Sequence, residues 1–144
     1  MALVSFYSVD VPIPIKHRRR IRQLIFDLFF KERIPFENLS FIFCSDKYLL
    51  HLNKKHLNHD YYTDVITFRL SDPLEEVVGE VYLSTERIKE NAKAYDEAYQ
   101  TELLRVMIHG ALHLCGYKDK TKAGQKKMRL KEDLYLQLFR KRFT

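Results

Sequence analysis

The sequence has few cysteines, no long apolar run and no internal repeat, and each absence narrows the class of protein. Two cysteines in 144 residues, Cys44 and Cys115, are too few for a disulfide framework. No segment approaches the roughly 20 apolar residues of a membrane span. The first residues lack the basic stretch and apolar core of a signal peptide. We therefore expect one folded domain over residues 1–144, in the cytoplasm, with no membrane or disulfide partner and with both cysteines in the core.

The charge balance is basic, with 25 Lys and Arg against 19 Asp and Glu. Because 46% of the residues are hydrophobic, the composition is that of a folded chain and not of a disordered one. Excess cations favour polyanionic partners such as nucleic acid or anionic membrane. The densest run, residues 16–20, opens a predicted helix, where cations oppose the helix dipole. Phosphate contact is a candidate role for this run, and a solvated charged face is the ordinary alternative.

Two histidines, His109 and His113, stand four residues apart in a stretch with a helical pattern. An i,i+4 pair lies on one helix face, and this spacing lets two imidazoles bind one metal ion. Gly116 is a natural helix end, so the chain can turn back and bring the Asp119 carboxylate to the same ion. Three ligands leave a position open for water, which is typical of a catalytic site. The alternative is two partly buried histidines with ordinary hydrogen-bond partners.

The same helix is apolar except for a narrow strip that contains Glu102, Arg105 and the two histidines. A helix that is apolar nearly all round is buried, so we expect the polar strip to face an internal cleft. Zinc proteases of the H-E-x-x-H type use the Glu after the first histidine as general base. Gly110 stands at that position here, which argues against the protease mechanism.

Residues 109–117, His-Gly-Ala-Leu-His-Leu-Cys-Gly-Tyr, resemble the H-G-x-L-H-L-x-G-Y signature of the YbeY family. That family consists of bacterial metal-dependent endoribonucleases of ribosomal RNA maturation. Residues 52–68 resemble its L-N-x₈-P-T-[ND]-V-L-S-F block, with Tyr62 in place of the proline. The family usually has a third histidine ligand where this chain has Asp119, which is an acceptable zinc ligand. It commonly has an RNA-contacting Arg where this chain has Leu57.

The resemblance implies a zincin-like fold and a metal-dependent single-strand endoribonuclease that acts on ribosomal RNA and ribosomal particles. One Zn²⁺ would be held by His109, His113 and Asp119, and would activate water and polarise a phosphoryl oxygen. The attacking group, water or the RNA 2′-hydroxyl, stays open. Glu102 and Arg105 are the candidate catalytic residues, which could orient ligands or stabilise phosphate charge.

Two other functions are compatible with the sequence. The main alternative is a non-enzymatic ribosome-assembly or RNA-binding factor in which a structural metal fixes the turn at Gly116, although such a site favours four protein ligands. A metalloprotease is the third possibility, disfavoured by Gly110 at the position of the catalytic glutamate. A second metal site at His51, His56 and His59 is conceivable, and His59 and Asp60 could instead touch substrate; we favour ordinary surface residues for all of them.

The elements follow the order β-α-β-α-β-β-α-α-α, which predicts an α/β (α+β) domain with a small mixed sheet packed against helices. The predicted strands cover about residues 2–7, 39–44, 65–70 and 77–83, and the helices about 16–31, 47–56, 84–95, 99–115 and 121–140. The last two strands are joined by a short turn at Pro73 and should be antiparallel. The last helix should bury Met128, Leu134, Leu138 and Phe139.

Overall fold

The structure is a computed structural model that describes residues 1–58 and 62–143. Its elements in chain order are β1 (Leu3–Ser8), α1 (Arg18–Glu32), β2 (Phe36–Cys44), α2 (Asp46–Leu57), β3 (Val65–Arg69), β4 (Val77–Ser84), α3 (Thr85–Ala94), α4 (Tyr99–Leu114) and α5 (Lys122–Phe143). This order confirms the predicted α/β class. In the described ranges, no helix combines the length and apolarity that a membrane crossing requires.

The four strands form one mixed sheet in the order β1-β2-β4-β3. β1, β2 and β4 run parallel, and β3 pairs antiparallel with β4, as the short connection predicted. β2 lies between β1 and β4, and the last four residues of β2 are all buried: Phe41, Ile42, Phe43 and Cys44. Strands covered on both faces read as continuous apolar runs. β3 is left at one edge of the sheet, where it borders the site described below.

Helix α4 is the buried helix that the sequence predicted, with ten of its 16 residues buried. Gly110 lets it lie directly on the sheet: a Cβ there would stand 2.6 Å from Val81 Cγ1 and 3.3 Å from Thr67 Cγ2. Any larger residue would push α4 away from β3 and β4. The glycine that replaces the protease glutamate therefore fixes the height of the two histidines above the sheet.

Three of the helices begin at hydroxyl caps. Ser45 Oγ accepts a hydrogen bond from Tyr48 N, and Ser84 Oγ accepts one from Arg87 N. The Thr121 hydroxyl accepts one from Gly124 N at 2.9 Å. Each such cap satisfies a backbone donor that the helix itself leaves unpaired.

The inward face of α5 differs from the prediction. Met128 is buried, and Leu138 and Phe139 are partly buried, but Leu134 is 50% exposed and its inward placement was wrong. The buried stripe runs through Met128, Glu132, Tyr135 and Leu136. Polar contacts of Glu132 and Tyr135 with other elements decide which face of α5 turns inward. Such contacts between distant segments cannot be seen in the local pattern of the sequence.

The two cysteines are packing residues with different burial. Cys44 is buried as predicted, whereas Cys115 is only partly buried. Burial raises the pKa of both thiols to about 12. Neither thiol is therefore ionised near neutral pH, and inert structural cysteines of this kind are typical of core positions.

Candidate metal centre

Helix α4 and the turn after it bring His109, His113 and Asp119 together. One helical turn separates the two histidines, and their Nε2 atoms lie 3.0 Å apart. Two residues after the end of α4 the chain turns at Gly116, whose φ of 106° is a conformation that glycine adopts without strain. Asp119 Oδ2 then lies 3.3 Å from His109 Nε2 and 3.4 Å from His113 Nε2. The three residues singled out in the sequence thus form one cluster, and their role as ligands stays a prediction.

The spacing of the three atoms fits a divalent cation. Ligand atoms around a tetrahedral zinc ion with bonds of about 2.0–2.1 Å stand about 3.3–3.4 Å from one another. The separations here are 3.0, 3.3 and 3.4 Å. In the described part of the chain, no other trio of His, Cys, Asp or Glu is close enough to hold an ion. His51 and His56 are exposed, and His59 and Asp60 lie outside the described residues.

The hydrogen bonds of the two rings also favour a cation at this point. His109 Nδ1 lies 2.6 Å from Glu132 Oε2, and His113 Nδ1 lies 2.9 Å from the Tyr117 carbonyl oxygen. Both partners are acceptors, so each Nδ1 carries a proton, and each ring in its neutral form presents its Nε2 lone pair. Two lone pairs and a carboxylate oxygen then face one another, an arrangement that a bound cation relieves.

Glu132 is a member of the site that the sequence analysis missed. Its side chain is 8% exposed, and its other carboxylate oxygen, Oε1, lies 3.4 Å from Arg105 Nη1. A glutamate four residues after the buried Met128, on the apolar stripe of α5, is the sequence signal that could have revealed it. Burial alone would lower the pKa of His109, but the carboxylates of Glu132, Asp119 and Asp64 outweigh it and raise that pKa above its usual value.

Glu102 and Arg105 border the site but bind partners within the protein. Arg105 Nη1 lies 2.9 Å from Asp133 Oδ1, and Arg105 Nε lies 3.8 Å from Glu102 Oε1. Burial raises the pKa of Glu102, against the opposing charge of Arg105. Arg105 therefore holds Glu132 in place, and a direct role of Arg105 or Glu102 in catalysis stays a prediction.

Two cavities meet at the cluster. The larger, about 700 Å³, lies between α4 and α5 and includes Glu97, Glu102, Arg105, Arg129 and Glu132 in its wall. The smaller, about 320 Å³, lies along β3 and α2 and includes Asn53, Leu57, Thr63 and Thr67. Both share Asp64, Val65, His109 and Asp119. The cluster therefore stands at the middle of a continuous groove that could hold a chain on both sides of the metal position.

A sequence model of the family described as endoribonuclease YbeY matches residues 7–140. The chain belongs to the endoribonuclease YbeY family. The endoribonuclease YbeY of Cytophaga hutchinsonii is 42% identical over 135 residues, which are 94% of each chain. That of Porphyromonas gingivalis is 40% identical over 140 residues, covering 97% of this chain and 92% of the relative. The solution structure of TM1509 from Thermotoga maritima, 27% identical, aligns with a TM-score of 0.67 over 95% of this chain and 89% of that one.

The structure gives physical reasons for the YbeY signature in this chain. The two histidines face the groove, Gly110 allows α4 to contact Val81, and Gly116 reverses the chain. Asp119 stands at the position of the family's usual third histidine and reaches the same point as the two rings. Leu57, at the position of the family's Arg, lies in the wall of the smaller cavity and contributes no charge there.

Proposed function

We propose that this protein is a zinc-dependent endoribonuclease that cleaves single-stranded RNA in ribosomal RNA maturation, and that residues 1–144 act as one domain. Family membership makes RNA the substrate class. The main support for the proposal is that three candidate ligand atoms lie 3.0–3.4 Å from one another at the middle of an open groove. These atoms are His109 Nε2, His113 Nε2 and Asp119 Oδ2. Ribosomal particles in the cytoplasm are the proposed setting.

The residues of the chain divide the chemistry among them. His109, His113 and Asp119 would hold one Zn²⁺, which supplies Lewis acidity toward a phosphoryl oxygen and the attacking group. The Glu132 carboxylate and the Tyr117 carbonyl each hold a proton on the Nδ1 of one histidine, so that both Nε2 atoms remain donors. Val65, shared by the two cavities, gives the groove an apolar side chain next to the cluster.

The donor count favours an enzyme over a ribosome-assembly factor with a structural metal. Structural zinc sites are closed by four protein ligands. Three donor atoms converge here, and within the described residues no fourth His, Cys, Asp or Glu joins them. The metalloprotease alternative lacks its base, because the position after His109 is a glycine packed on Val81.

Metal content and RNA cleavage measured on the same preparation test the proposal. We expect about one zinc per chain by elemental analysis, cleavage of single-stranded RNA, loss of cleavage on chelation and recovery when zinc returns. His109→Ala and His113→Ala should lose most of the metal and the cleavage, which also excludes a contaminating nuclease. A zinc-loaded protein that never cleaves RNA would overturn the nuclease proposal and leave the assembly-factor alternative.

Asp119 can be tested as the third ligand by two substitutions. Asp119→Ala should lower the zinc stoichiometry without lowering the melting temperature of the metal-free protein, because the Thr121 hydroxyl provides the cap of α5. Asp119→His should retain zinc, since it restores the family's usual ligand. Full zinc occupancy in Asp119→Ala together with a lower melting temperature would remove Asp119 from the ligand set.

A further inference from the structure

The net charge of the chain is concentrated in one segment. Residues 118–131, called the basic segment below, contain seven Lys or Arg and one carboxylate, that of Asp119. The chain has 25 Lys and Arg and 19 Asp and Glu, so 18 of each sign remain outside this segment. The rest of the chain is therefore neutral overall, and the formal net charge of +6 belongs to these 14 residues.

The basic segment begins at the metal centre. Lys118 and Lys120 are exposed on either side of Asp119, whose carboxylate turns inward to the histidines. Further along, Arg129 lies in the wall of the larger cavity. Lys127 lies over the ring of Tyr117 at 5.5 Å, on the other flank of α5. Positive charge thus extends from the cluster along both sides of the first turns of α5.

Four lysines of the segment make no polar side-chain contact within the described part of the chain. Lys118, Lys120, Lys122 and Lys126 are exposed, and the structure gives none of them an ion pair or hydrogen bond through its side chain within residues 1–58 and 62–143. The first turn of α5 has no acidic residue, so Lys122 stands unopposed at the positive end of the helix dipole. Clustered lysines without acidic partners repel one another, and a bound anion would relieve this repulsion. The basic segment, which adjoins the metal centre, is therefore suited to an anionic partner.

The wall of the larger cavity away from α5 has the reverse charge. Asp64, Glu97 and Glu102 contribute carboxylates there, and Arg105 beside them is paired with Glu132 and Asp133 of α5. A polyanion is therefore repelled by this wall and attracted to the exposed lysines of residues 118–126. This distribution of charge favours an approach of the phosphate backbone to the cluster from the side of the basic segment.

We propose that the basic segment is the surface that binds the RNA backbone and directs the strand to the metal centre. This rests on the proposed function and adds the path of its substrate. The run of arginines at residues 18–20 lies at the far end of α1, because Glu32 at the near end contacts Tyr117. At about 1.5 Å per residue the helix separates that run from the segment by roughly 20 Å.

The test compares three variants of equal or similar charge change. The first replaces Lys118, Lys120, Lys122 and Lys126 by Gln. The matched control replaces four exposed lysines of other surfaces by Gln: Lys47, Lys89, Lys93 and Lys141. The third replaces Arg18, Arg19 and Arg20 by Gln. Binding of a non-cleavable 2′-O-methyl RNA of about 12 nucleotides is measured by fluorescence anisotropy over a range of salt concentrations.

Affinity falls as salt rises, and each phosphate contact on a single strand adds about 0.7 to the steepness of log affinity against log salt. Because the first variant loses four lysines, we expect its plot to be less steep by about three. The control and the arginine variant should keep slopes near that of the unmodified protein, and the first variant should keep its zinc and melting temperature. An equal fall in the control, a fall confined to the arginine variant, or an unchanged slope in the folded first variant would each overturn the proposal.

The same measurements separate this proposal from the proposed function. If the slope falls as expected but the zinc-loaded protein does not cleave RNA, the binding surface stands and the nuclease proposal fails. If the protein cleaves RNA and the first variant keeps both its slope and its rate, the nuclease stands and the path over the basic segment is wrong.

Discussion

At the scale of single residues, the histidine pair is asymmetric in what holds its Nδ1 atoms. A buried carboxylate holds His109, at 2.6 Å, and a neutral backbone carbonyl holds His113, at 2.9 Å. A carboxylate partner increases the basicity of a metal-binding imidazole more than a carbonyl does. Glu132 should therefore matter for metal affinity even though it lies outside the three ligands.

We predict that Glu132→Gln lowers zinc affinity by about 10–100-fold, the usual effect of removing such a partner. The amide keeps the size of the side chain but loses the charge that faces His109 and Arg105. Asp133→Asn is the matched control, because Asp133 contacts the same Arg105 but not a histidine. Competition with a chelator of known affinity measures both variants. Equal zinc affinity in Glu132→Gln and the unmodified protein would limit Glu132 to packing.

The residues of the site also show what sequence reasoning can reach. His109, His113 and Asp119 could be found from the sequence because they lie within eleven positions of one another. Helix periodicity and a glycine at the helix end are enough to predict that they meet. Glu132 comes from another helix 23 residues away from His109 and follows no such rule. Arg105 and Glu102 were found, but Glu132 and Asp133, the carboxylates of α5 that lie closer to Arg105, were not.

At the scale of elements, Glu32 joins α1 to α5 and to the turn that precedes Asp119. Its carboxylate accepts hydrogen bonds from Tyr117 at 2.6 Å, from Lys131 at 3.2 Å and from Tyr135. Burial alone would raise the pKa of Glu32, but these donors outweigh it and hold the pKa below its usual value. The phase of α5 follows from this contact and from Glu132, which is why the predicted inward place of Leu134 was wrong.

We predict that Glu32→Gln lowers the free energy of unfolding at pH 7 by about 2 kcal/mol, since a charged acceptor of several donors is lost. Because the folded pKa is depressed, the stability from this carboxylate is present above the unfolded pKa of about 4.3 and is lost as pH falls through the folded value. Urea unfolding from pH 7 to pH 3 should show the two proteins converge in acid. The exposed Glu37→Gln is the control, and a difference independent of pH would contradict the assignment.

Strand order is the part of the fold that the sequence could not provide. The lengths and types of elements follow from local periodicity, and the antiparallel pairing of β3 with β4 follows from the short connection between them. The insertion of β4 between β2 and β3 depends on contacts between distant segments, such as Phe41 beside Val81. The close fit of Gly110 on Val81 depends on the same arrangement.

At the scale of the whole molecule, the fold and the metal centre are separable. The core is built on apolar side chains of α4, β2 and β4, none of which belongs to the cluster. The proposed ligands lie on the groove side of α4 and are 22–38% exposed. We therefore expect the metal-free protein to be folded, unlike small domains that metal alone holds together.

Metal should nevertheless stabilise the molecule by mass action, because the complete cluster exists only when α4 and the turn to Asp119 are both formed. Zinc at about 100 times its dissociation constant should add about 2.7 kcal/mol to the free energy of unfolding and raise Tm by several degrees. His109→Ala should lose this rise, whereas His51→Ala, which removes an exposed histidine of α2, should keep it. Thermal melts with zinc and with chelator measure the effect in all three proteins. A Tm of the unmodified protein that is the same in both conditions would contradict a metal centre built from the folded state.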